Sequence, residues 1–168
     1  NNFLDNNLTP FPLQPSVMFG MQMAFYSLQN PKAKASPAMT KLYLEPPTLF
    51  GSKGPVKLKL GHLSVDDAIA FFNKFKRSEK NIRIDLERKW ELEKTLEFCE
   101  KIDTSSILYI EDHVMTFSDL EIFYEKTNVE YALDQFLAFA PPQVIKTLKG
   151  IHSIIVKPSL CGGLHECR

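Results

Sequence analysis

The sequence has few cysteines and no long apolar run. Three cysteines occur in 168 residues, their number is odd, and no two of them form a CxxC pair. The cysteine pattern therefore suggests neither a disulfide framework nor a zinc knuckle, and it favours a reducing compartment. No run approaches the ~18 apolar residues of a membrane span, and no secretory leader pattern is present. We therefore expect a cytoplasmic protein.

An excess of charge of either sign is also missing. Lys plus Arg and Asp plus Glu number 20 each, so the totals give no electrostatic case for binding nucleic acid or a membrane surface. Apolar residues make up 44% and charged residues 24%, which are ordinary values for a soluble globular protein. A small or neutral partner fits this composition, and the sequence does not indicate an oligomeric state.

The N-terminal segment, residues 1–35, is predicted to be a loop followed by one helix. Asn and Pro dominate "NNFLDNNLTPFPLQP" and indicate a loop, whereas "SVMFGMQMAFYSLQN" has apolar residues at helical spacing. Ser16 is the expected N-cap, and "QNPKAKASP" is expected to end the helix. The predicted buried face of this helix consists of Val17, Met21, Ala24, Phe25 and Leu28.

Residues 36–168 alternate between short β-rich runs and helical segments. After a possible strand within 38–44, the predicted strands are "VKLKLG", "IRIDL", "ILYIED", "EYALDQ" and "HSIIVKPS". The first clear helix, "SVDDAIAFFNKFKR", begins with Ser64 and Asp67 in the positions of a capping box. This alternation predicts an α/β fold of about six parallel βα units.

Charged residues recur at the C-terminal ends of the predicted strands, at intervals of 23–26 positions; they are Lys59, Asp85, Glu111, Asp134 and Lys157. In a (β/α) barrel the side chains at these ends converge on one site. Three carboxylates from consecutive strands, without cysteine or ligand-spaced histidine, predict a hard metal ion. Mg²⁺ is the expected ion, with Mn²⁺ as an alternative.

Strand alternation adds two more residues to the candidate site. Residues two apart share a face of a strand, so Lys57 is expected to point inward with Lys59, and Arg83 with Asp85. Two ammonium groups that lie close together disfavour each other's charge, which predicts a lowered lysine pKa and a general base for proton abstraction next to a carboxylate. Arg83 is expected either to pair with a neighbouring carboxylate or to contact the substrate.

The histidines are not expected to belong to this site. His62, His113, His152 and His165 share no ligand spacing, and each is predicted to lie in a loop or at the surface.

With these residues identified, the chain resembles the enolase superfamily, and within it the o-succinylbenzoate synthases of menaquinone biosynthesis. The motifs that carry the resemblance are "PSVMFGMQMA", "VKLKLG", "RIDLERKW", "YIEDH", "ALDQ" and "IVKPSLCGGL". The resemblance implies a TIM-like barrel with Lys59 as the general base and Lys57 in a supporting role. It further implies Mg²⁺ ligation by Asp85, Glu111 and Asp134, and stabilisation of the enolate by the charge of Lys157.

The implied reaction is the loss of water from a cyclohexadiene carboxylate, SHCHC, to give o-succinylbenzoate. Two alternatives stay open: an N-acylamino acid racemase or dipeptide epimerase of the same superfamily, and a degenerate barrel without catalytic activity. The chain departs from the family pattern at Glu87, where Asn is usual, at Gln135, where Glu is usual, and in "EDH" in place of "EEP".

The resemblance also implies that part of the family's architecture lies outside these residues. We expect a partial barrel of about six βα units, without most of the N-terminal capping domain and without the last two strands. Residues 1–35 would join the capping domain to the barrel formed by residues 36–168. The 168 residues are accordingly expected to be a portion of a longer protein.

Overall fold

The structure, a computed structural model, describes residues 13–30, 41–44, 55–75, 82–138, 140, 142–163 and 167. The chain forms two compact units, one of Met39–Ile155 and the other of Asn1–Ala38 together with Val156–Arg168. The boundary predicted between residues 35 and 36 lies outside the described residues. Within those residues, no helix is long and apolar enough to cross a membrane.

The larger unit contains a parallel six-stranded sheet in which strands adjacent in the chain are adjacent in space. The strands are β1 Lys41–Tyr43, β2 Val56–Lys59, β3 Ile82–Asp85, β4 Ile107–Glu111, β5 Tyr131–Leu133 and β6 Ile151–Ile154. The helices are α1 Pro15–Gln29, α2 Val65–Asn73, α3 Leu92–Lys101, α4 Phe117–Thr127, α5 Pro142–Ile145 and α6 Pro158–Cys161. Helices α2 to α5 belong to the larger unit, and the predicted alternation of parallel strands with helices is confirmed.

The first helix of the larger unit begins where the sequence predicts. The hydroxyl oxygen of Ser64 accepts a hydrogen bond from the backbone N–H of Asp67 at 3.1 Å, and the hydroxyl donates to the Asp67 carboxylate at 2.6 Å. These bonds satisfy a backbone donor that the first turn of a helix leaves without an intrahelical partner. Thr116 caps α4 in the same way, through the backbone N–H of Asp119 at 3.3 Å.

One face of the sheet is covered by aromatic and aliphatic side chains. Val56 and Leu58 of β2 are fully buried, whereas the alternate residues of that strand are only half-buried. Trp90 and Phe98 pack edge to face, with ring centroids 5.5 Å apart, and the Trp90 indole N–H donates to the backbone oxygen of Gly61 at 3.1 Å. Because successive side chains of a strand point to opposite faces, the lysines of β2 lie on the other face.

The smaller unit corrects the predicted start of α1. The helix begins at Pro15, with Gln14 in the N-cap position, so the prediction of Ser16 as the cap is wrong. Proline is favoured in the first helical turn, because its missing N–H would have no intrahelical acceptor there. A helix that begins with proline and has no side-chain N-cap bond cannot be located by searching the sequence for capping residues.

The predicted apolar face of α1 is also wrong. The buried residues are Met18 and Gln22, whereas the side chain of Leu28 is 79% exposed and that of Val17 is 46% exposed. Within this unit α1 packs on α6 and the two residues that follow it, where a Cβ atom on Gly163 would lie 2.3 Å from the Gln22 side chain. The close approach of Gly163 thus accounts for the burial of the polar Gln22 side chain.

Candidate active site

The C-terminal ends of β2, β3 and β4 place three predicted site residues in one row. The strand register pairs Lys59 with Asp85, and Asp85 with Glu111. Two residues earlier in these strands, Lys57 is paired with Arg83. Asp85 and Glu111 are buried, with 5% and 1% of their surface exposed. Parallel pairing thus brings the spaced sequence motifs together at one edge of the sheet.

The ammonium group of Lys57 bridges the two buried carboxylates. Its Nζ atom lies 3.0 Å from Oδ2 of Asp85 and 2.7 Å from Oε2 of Glu111. Burial acts to lower the pKa of Lys57, but the hydrogen bond with Glu111 and the negative charges of both carboxylates raise the pKa overall. A lowered pKa, expected from the neighbouring Lys59, is wrong for Lys57 because the carboxylates outweigh a second ammonium group.

The pKa of Glu111 depends on its burial and on three neighbouring charges, those of Lys57, Asp85 and Asp134. Burial raises the pKa of its carboxyl group most strongly, the hydrogen bond with Lys57 lowers it, and the charges of Asp85 and Asp134 raise it further. The net direction is upward. Asp134, the third predicted ligand, is thus among the charges that raise the pKa of Glu111.

Lys59 has a carboxylate partner that the sequence does not predict. Its Nζ atom lies 3.0 Å from Oε1 of Glu87 and 3.8 Å from Oδ2 of Asp85. Glu87 also contacts Lys89, at 3.1 Å, and hydrogen bonds from Lys59 and then Lys89 lower its pKa. The sequence identifies Glu87 only as a departure from the family pattern, because a loop side chain that reaches the neighbouring strand β2 leaves no periodic signal.

The turn after β3 holds Glu87 in a conformation that non-glycine residues rarely adopt. Glu87 and Arg88 have φ angles of 52° and 54°, and the N–H of Lys89 donates to the backbone oxygen of Leu86 at 2.9 Å. The N–H of Glu87 donates to Oδ1 of Asp85 at 3.0 Å. Left-handed non-glycine residues cost about 1–3 kcal/mol each, so the rest of the site must stabilise this turn.

The third carboxylate, Asp134, follows the end of β5 and is held through its backbone. The N–H groups of Asp134 and Gln135 donate to the two carboxylate oxygens of Asp112, at 3.2 and 3.0 Å. Asp112 is 1% exposed, and burial raises its pKa although both backbone hydrogen bonds lower it. The sequence identifies Asp112 only as part of the altered "EDH" motif.

Arg83 lies on the inward face of β3, beside the tyrosine of β4. Its guanidinium carbon is 5.6 Å from the centre of the Tyr109 ring, and the strand register pairs the same two residues. Burial raises the pKa of Tyr109, and the charge of Arg83 opposes that rise. A contact of Arg83 with the substrate stays a prediction.

Arg88 is a further residue that the sequence does not single out. Its guanidinium lies 4.6 Å from the centre of the Phe136 ring and donates to the backbone oxygen of Met115 at 2.9 Å. Together with Thr116 and Phe117 these residues line an open cavity of about 380 Å³. The cavity is built by the segments that follow β3, β4 and β5.

His113 corrects the expectation of a surface histidine. Its ring is fully buried, 4.1 Å from the ring centre of Phe123 and 5.0 Å from that of Tyr131. Burial lowers the pKa of His113 to about 3. The histidine therefore belongs to the core under the site, neutral at physiological pH.

Lys157 occupies the smaller unit, where it is exposed and precedes α6 in the N-cap position. Its predicted place across the site from Lys59 stays a prediction.

The donor chemistry of the site fits a hard divalent cation. The two buried carboxylates of Asp85 and Glu111 share only one positive group, that of Lys57. Buried negative charges need compensating positive charge, which a bound cation supplies. Carboxylate oxygens are the ligands that Mg²⁺ prefers. In the part of the chain that the structure describes, no three or more His, Cys, Asp or Glu side chains are grouped closely enough to coordinate an ion. Two of the three predicted ligands, Asp85 and Glu111, are instead bridged by Lys57.

Several curated proteins match this chain. It is 31% identical to Protein PHYLLO, chloroplastic, of Arabidopsis thaliana over an alignment of 121 residues. That alignment covers 66% of this chain and 7% of the plant protein. It is 27% identical over 173 residues to the o-succinylbenzoate synthase of Vibrio cholerae, which covers 90% of this chain and 51% of the synthase. The chain thus spans about half the length of the curated synthases that it matches. No family model matches the chain.

Solved structures share the fold at low sequence identity. The dipeptide epimerase of Enterococcus faecalis matches with a TM-score of 0.57 and 17% identity, over 92% of this chain and 40% of the epimerase. L-Talarate dehydratase of Polaromonas, complexed with magnesium and L-glucarate, matches with a TM-score of 0.55 and 16% identity, over 68% of this chain and 34% of the dehydratase.

Fold and relatives agree on the class of protein. The parallel sheet with alternating helices is part of a (β/α) barrel, as predicted, and this fold is shared with the dipeptide epimerase. The predicted resemblance to the o-succinylbenzoate synthases is confirmed by the relatives that carry this name.

Proposed function

We propose that the protein is a Mg²⁺-dependent lyase of the o-succinylbenzoate synthase type, acting in menaquinone biosynthesis. The observation that carries the proposal is the row of Lys59, Asp85 and Glu111, which the strand register aligns at the C-terminal edge of the sheet. The named synthase relatives support it. The substrate would be SHCHC, a small carboxylate, and the product o-succinylbenzoate.

The carboxylates of Asp85, Glu111 and Asp134 would hold the metal ion. The bound ion would supply positive charge next to the substrate carboxylate, where negative charge develops. Lys57, now hydrogen-bonded to Glu111 and paired with Asp85, would keep the carboxylates apart and oriented. The bound metal and the ammonium group of Lys57 would thus both neutralise the negative charge of Asp85 and Glu111.

Lys59 would act as the general base. Its Nζ atom would take the proton from the carbon next to the substrate carboxylate, and the electron pair left behind would form the new double bond as the C–O bond breaks. The protonated Lys59 would give that proton to the departing hydroxyl group, which leaves as water. The charge of Lys157 would stabilise the negative charge that develops on the carboxylate. Arg83, on the same inward face, would contact or orient the substrate.

A second candidate from the same superfamily is an N-acylamino acid racemase or dipeptide epimerase. The dipeptide epimerase structure that covers 92% of this chain favours it. Such an enzyme would use the same carboxylates, with Lys59 and Lys157 exchanging a proton on opposite faces of the substrate. A third candidate is a barrel without catalysis, favoured by Glu87, which pairs with the predicted base at 3.0 Å.

Incubation of the full protein with MgCl₂ and either SHCHC or an N-acylamino acid separates these candidates. Loss of the diene absorbance of SHCHC is expected, and racemisation without that loss would sink the synthase proposal. Lys59→Ala should abolish turnover with the fold retained by circular dichroism. Lys89→Ala is the matched control, because Lys89 pairs with the same carboxylate of Glu87 from an exposed position.

Binding of the metal is tested separately by calorimetry. Wild-type protein should bind Mg²⁺ and Asp85→Asn should bind it far more weakly, whereas Asp66→Asn, at an exposed helix position, should bind as wild type does. Absence of binding in all three proteins would favour the barrel without catalysis. The proposal includes a cytoplasmic location, and neither nucleic acid nor membrane is part of it.

A further inference from the structure

The buried carboxylate of Asp112 joins the end of β4 to the segment that follows β5. Oδ1 accepts the N–H of Asp134 at 3.2 Å and Oδ2 accepts the N–H of Gln135 at 3.0 Å. Strand β5 ends at Leu133, so Asp134 has left the regular hydrogen bonding of the sheet. The Asp112 carboxylate therefore supplies the hydrogen-bond acceptors that a neighbouring strand would otherwise supply to Asp134 and Gln135.

The backbone of Asp112 makes two further connections. Its N–H donates to the backbone oxygen of Ala132 at 3.3 Å, and its own oxygen accepts the N–H of Arg88 at 2.9 Å. Arg88 belongs to the turn in which the N–H of Glu87 donates to Oδ1 of Asp85. One residue therefore ties together the C-terminal ends of β3, β4 and β5, and one predicted metal ligand lies at each of these ends.

An aspartate suits position 112 for two reasons, its left-handed backbone and the two backbone N–H groups that its side chain accepts. Its φ angle of 46° lies in the left-handed region, which Asp and Asn tolerate better than most residues. An ionised carboxylate offers two oxygen acceptors, whereas the amide of Asn offers one. Hydrogen bonds from backbone N–H groups to a charged acceptor are also stronger than neutral ones.

We propose that Asp112 is a positioning residue that holds Asp134 in place for metal binding. The inference rests on the proposed function, because it assigns Asp134 the role of a ligand. Mg²⁺ requires near-ideal octahedral geometry, so the displacement of one carboxylate weakens its binding. Residues that orient metal ligands typically change metal affinity about 10–100-fold when they are replaced.

Asp112→Asn tests the proposal with two measurements on the full protein. The variant keeps a side chain that tolerates the left-handed backbone but removes one acceptor. Without metal, amide hydrogen exchange of Asp134 or Gln135 should become roughly tenfold faster or more, because one of these N–H groups loses its partner. With MgCl₂, the calorimetric dissociation constant should rise about tenfold or more.

Asp103→Asn is the matched control. The Asp103 carboxylate also accepts a backbone N–H, that of Ser105 at 3.0 Å, but it precedes the start of β4 and lies at the other end of that strand. This variant should leave both the Mg²⁺ affinity and the exchange of Asp134 unchanged. An equal loss of affinity in the two variants would overturn the proposal.

The two measurements also separate this proposal from the proposed function. Unchanged exchange at Asp134 and Gln135 would overturn the positioning role. Faster exchange with unchanged Mg²⁺ affinity would show that the bonds are structural only, which also overturns it. Wild-type protein that binds no Mg²⁺ would contradict the proposed function itself and the metal role of Asp134, whereas the exchange rates would still decide whether Asp112 holds that segment.

Discussion

The side-chain nitrogen of Lys59 lies 3.0 Å from a carboxylate oxygen of Glu87. Both side chains are little more than a quarter exposed, so the ion pair is only partly screened by water. The pair fixes the ammonium group of the predicted base between two carboxylates, those of Glu87 and Asp85. A position that departs from the family pattern is therefore in direct contact with the residue on which the proposed reaction depends.

Glu87→Gln should lower kcat with SHCHC while changing KM little. The variant keeps the shape of the side chain but removes the charge that orients Lys59, and a misplacement of about 1 Å can cost roughly 100-fold in rate. We expect a decrease in kcat of about 10–100-fold. Steady-state kinetics measures it. In Lys89→Met the Lys59 contact remains, so its kcat should stay near that of wild type, and equal losses in the two variants would refute this role for Glu87.

Lys57→Met should destabilise the protein. It removes the cation between two buried carboxylates, and breaking a buried pair in this way costs about 3 kcal/mol. Urea unfolding at pH 7 measures the loss, and MgCl₂ should restore more stability in the variant than in wild type, because the ion replaces the missing charge.

Lys101→Met is the matched control for that change. Lys101 forms a shorter contact, 2.6 Å to Glu97, but on an exposed helix surface where water screens the pair. Its replacement should hardly alter the unfolding midpoint. An equally small effect of Lys57→Met would contradict the structural role of the bridging ammonium group.

His113 predicts a dependence of stability on pH. Its pKa is about 3 in the folded protein against 6.5 for an unperturbed histidine, so only the unfolded chain gains a proton between these values. The contribution of neutral His113 to the free energy of unfolding is complete above pH 6.5 and is lost as the pH falls. Between pH 7 and pH 5 the loss is about 2 kcal/mol.

Comparison of wild type with His113→Phe isolates that contribution. The apolar ring fits the contacts with Phe123 and Tyr131 but cannot take up a proton. Urea unfolding at the two pH values should therefore show a smaller loss in the variant. Equal losses in both proteins would exclude His113 as the cause.

Gly61 predicts a steric effect on stability. A Cβ atom at this position would lie 2.1 Å from the backbone oxygen of Leu86, so backbone must shift to admit it. We expect Gly61→Ala to cost about 1–3 kcal/mol, as forced overpacking does. Gly20→Ala is the control: it meets nothing within 4 Å in α1 and should stabilise that helix by about 0.5–1 kcal/mol. Similar unfolding midpoints for the two variants would contradict the close approach at Gly61.

Periodic patterns in the sequence predict much of this fold. The cap at Ser64 follows from local chemistry, and the shared face of Lys57 and Lys59 follows from the two-residue period of a strand. The face of α1 could not be predicted in the same way, because the close approach of Gly163 to Gln22 depends on a segment far away in the chain. The burial of His113 likewise depends on rings from α4 and β5.

The sequence by itself determines which residue types stand at the strand ends and how far apart they lie, because each βα unit has a nearly constant length. From this spacing come the candidate residues Lys59, Asp85 and Glu111. Only the tertiary structure decides which charges meet: Lys57 between two carboxylates, Glu87 on Lys59, and Asp112 on the backbone of Asp134. These contacts join residues 22 to 54 positions apart, and parallel strand register together with turn geometry sets them.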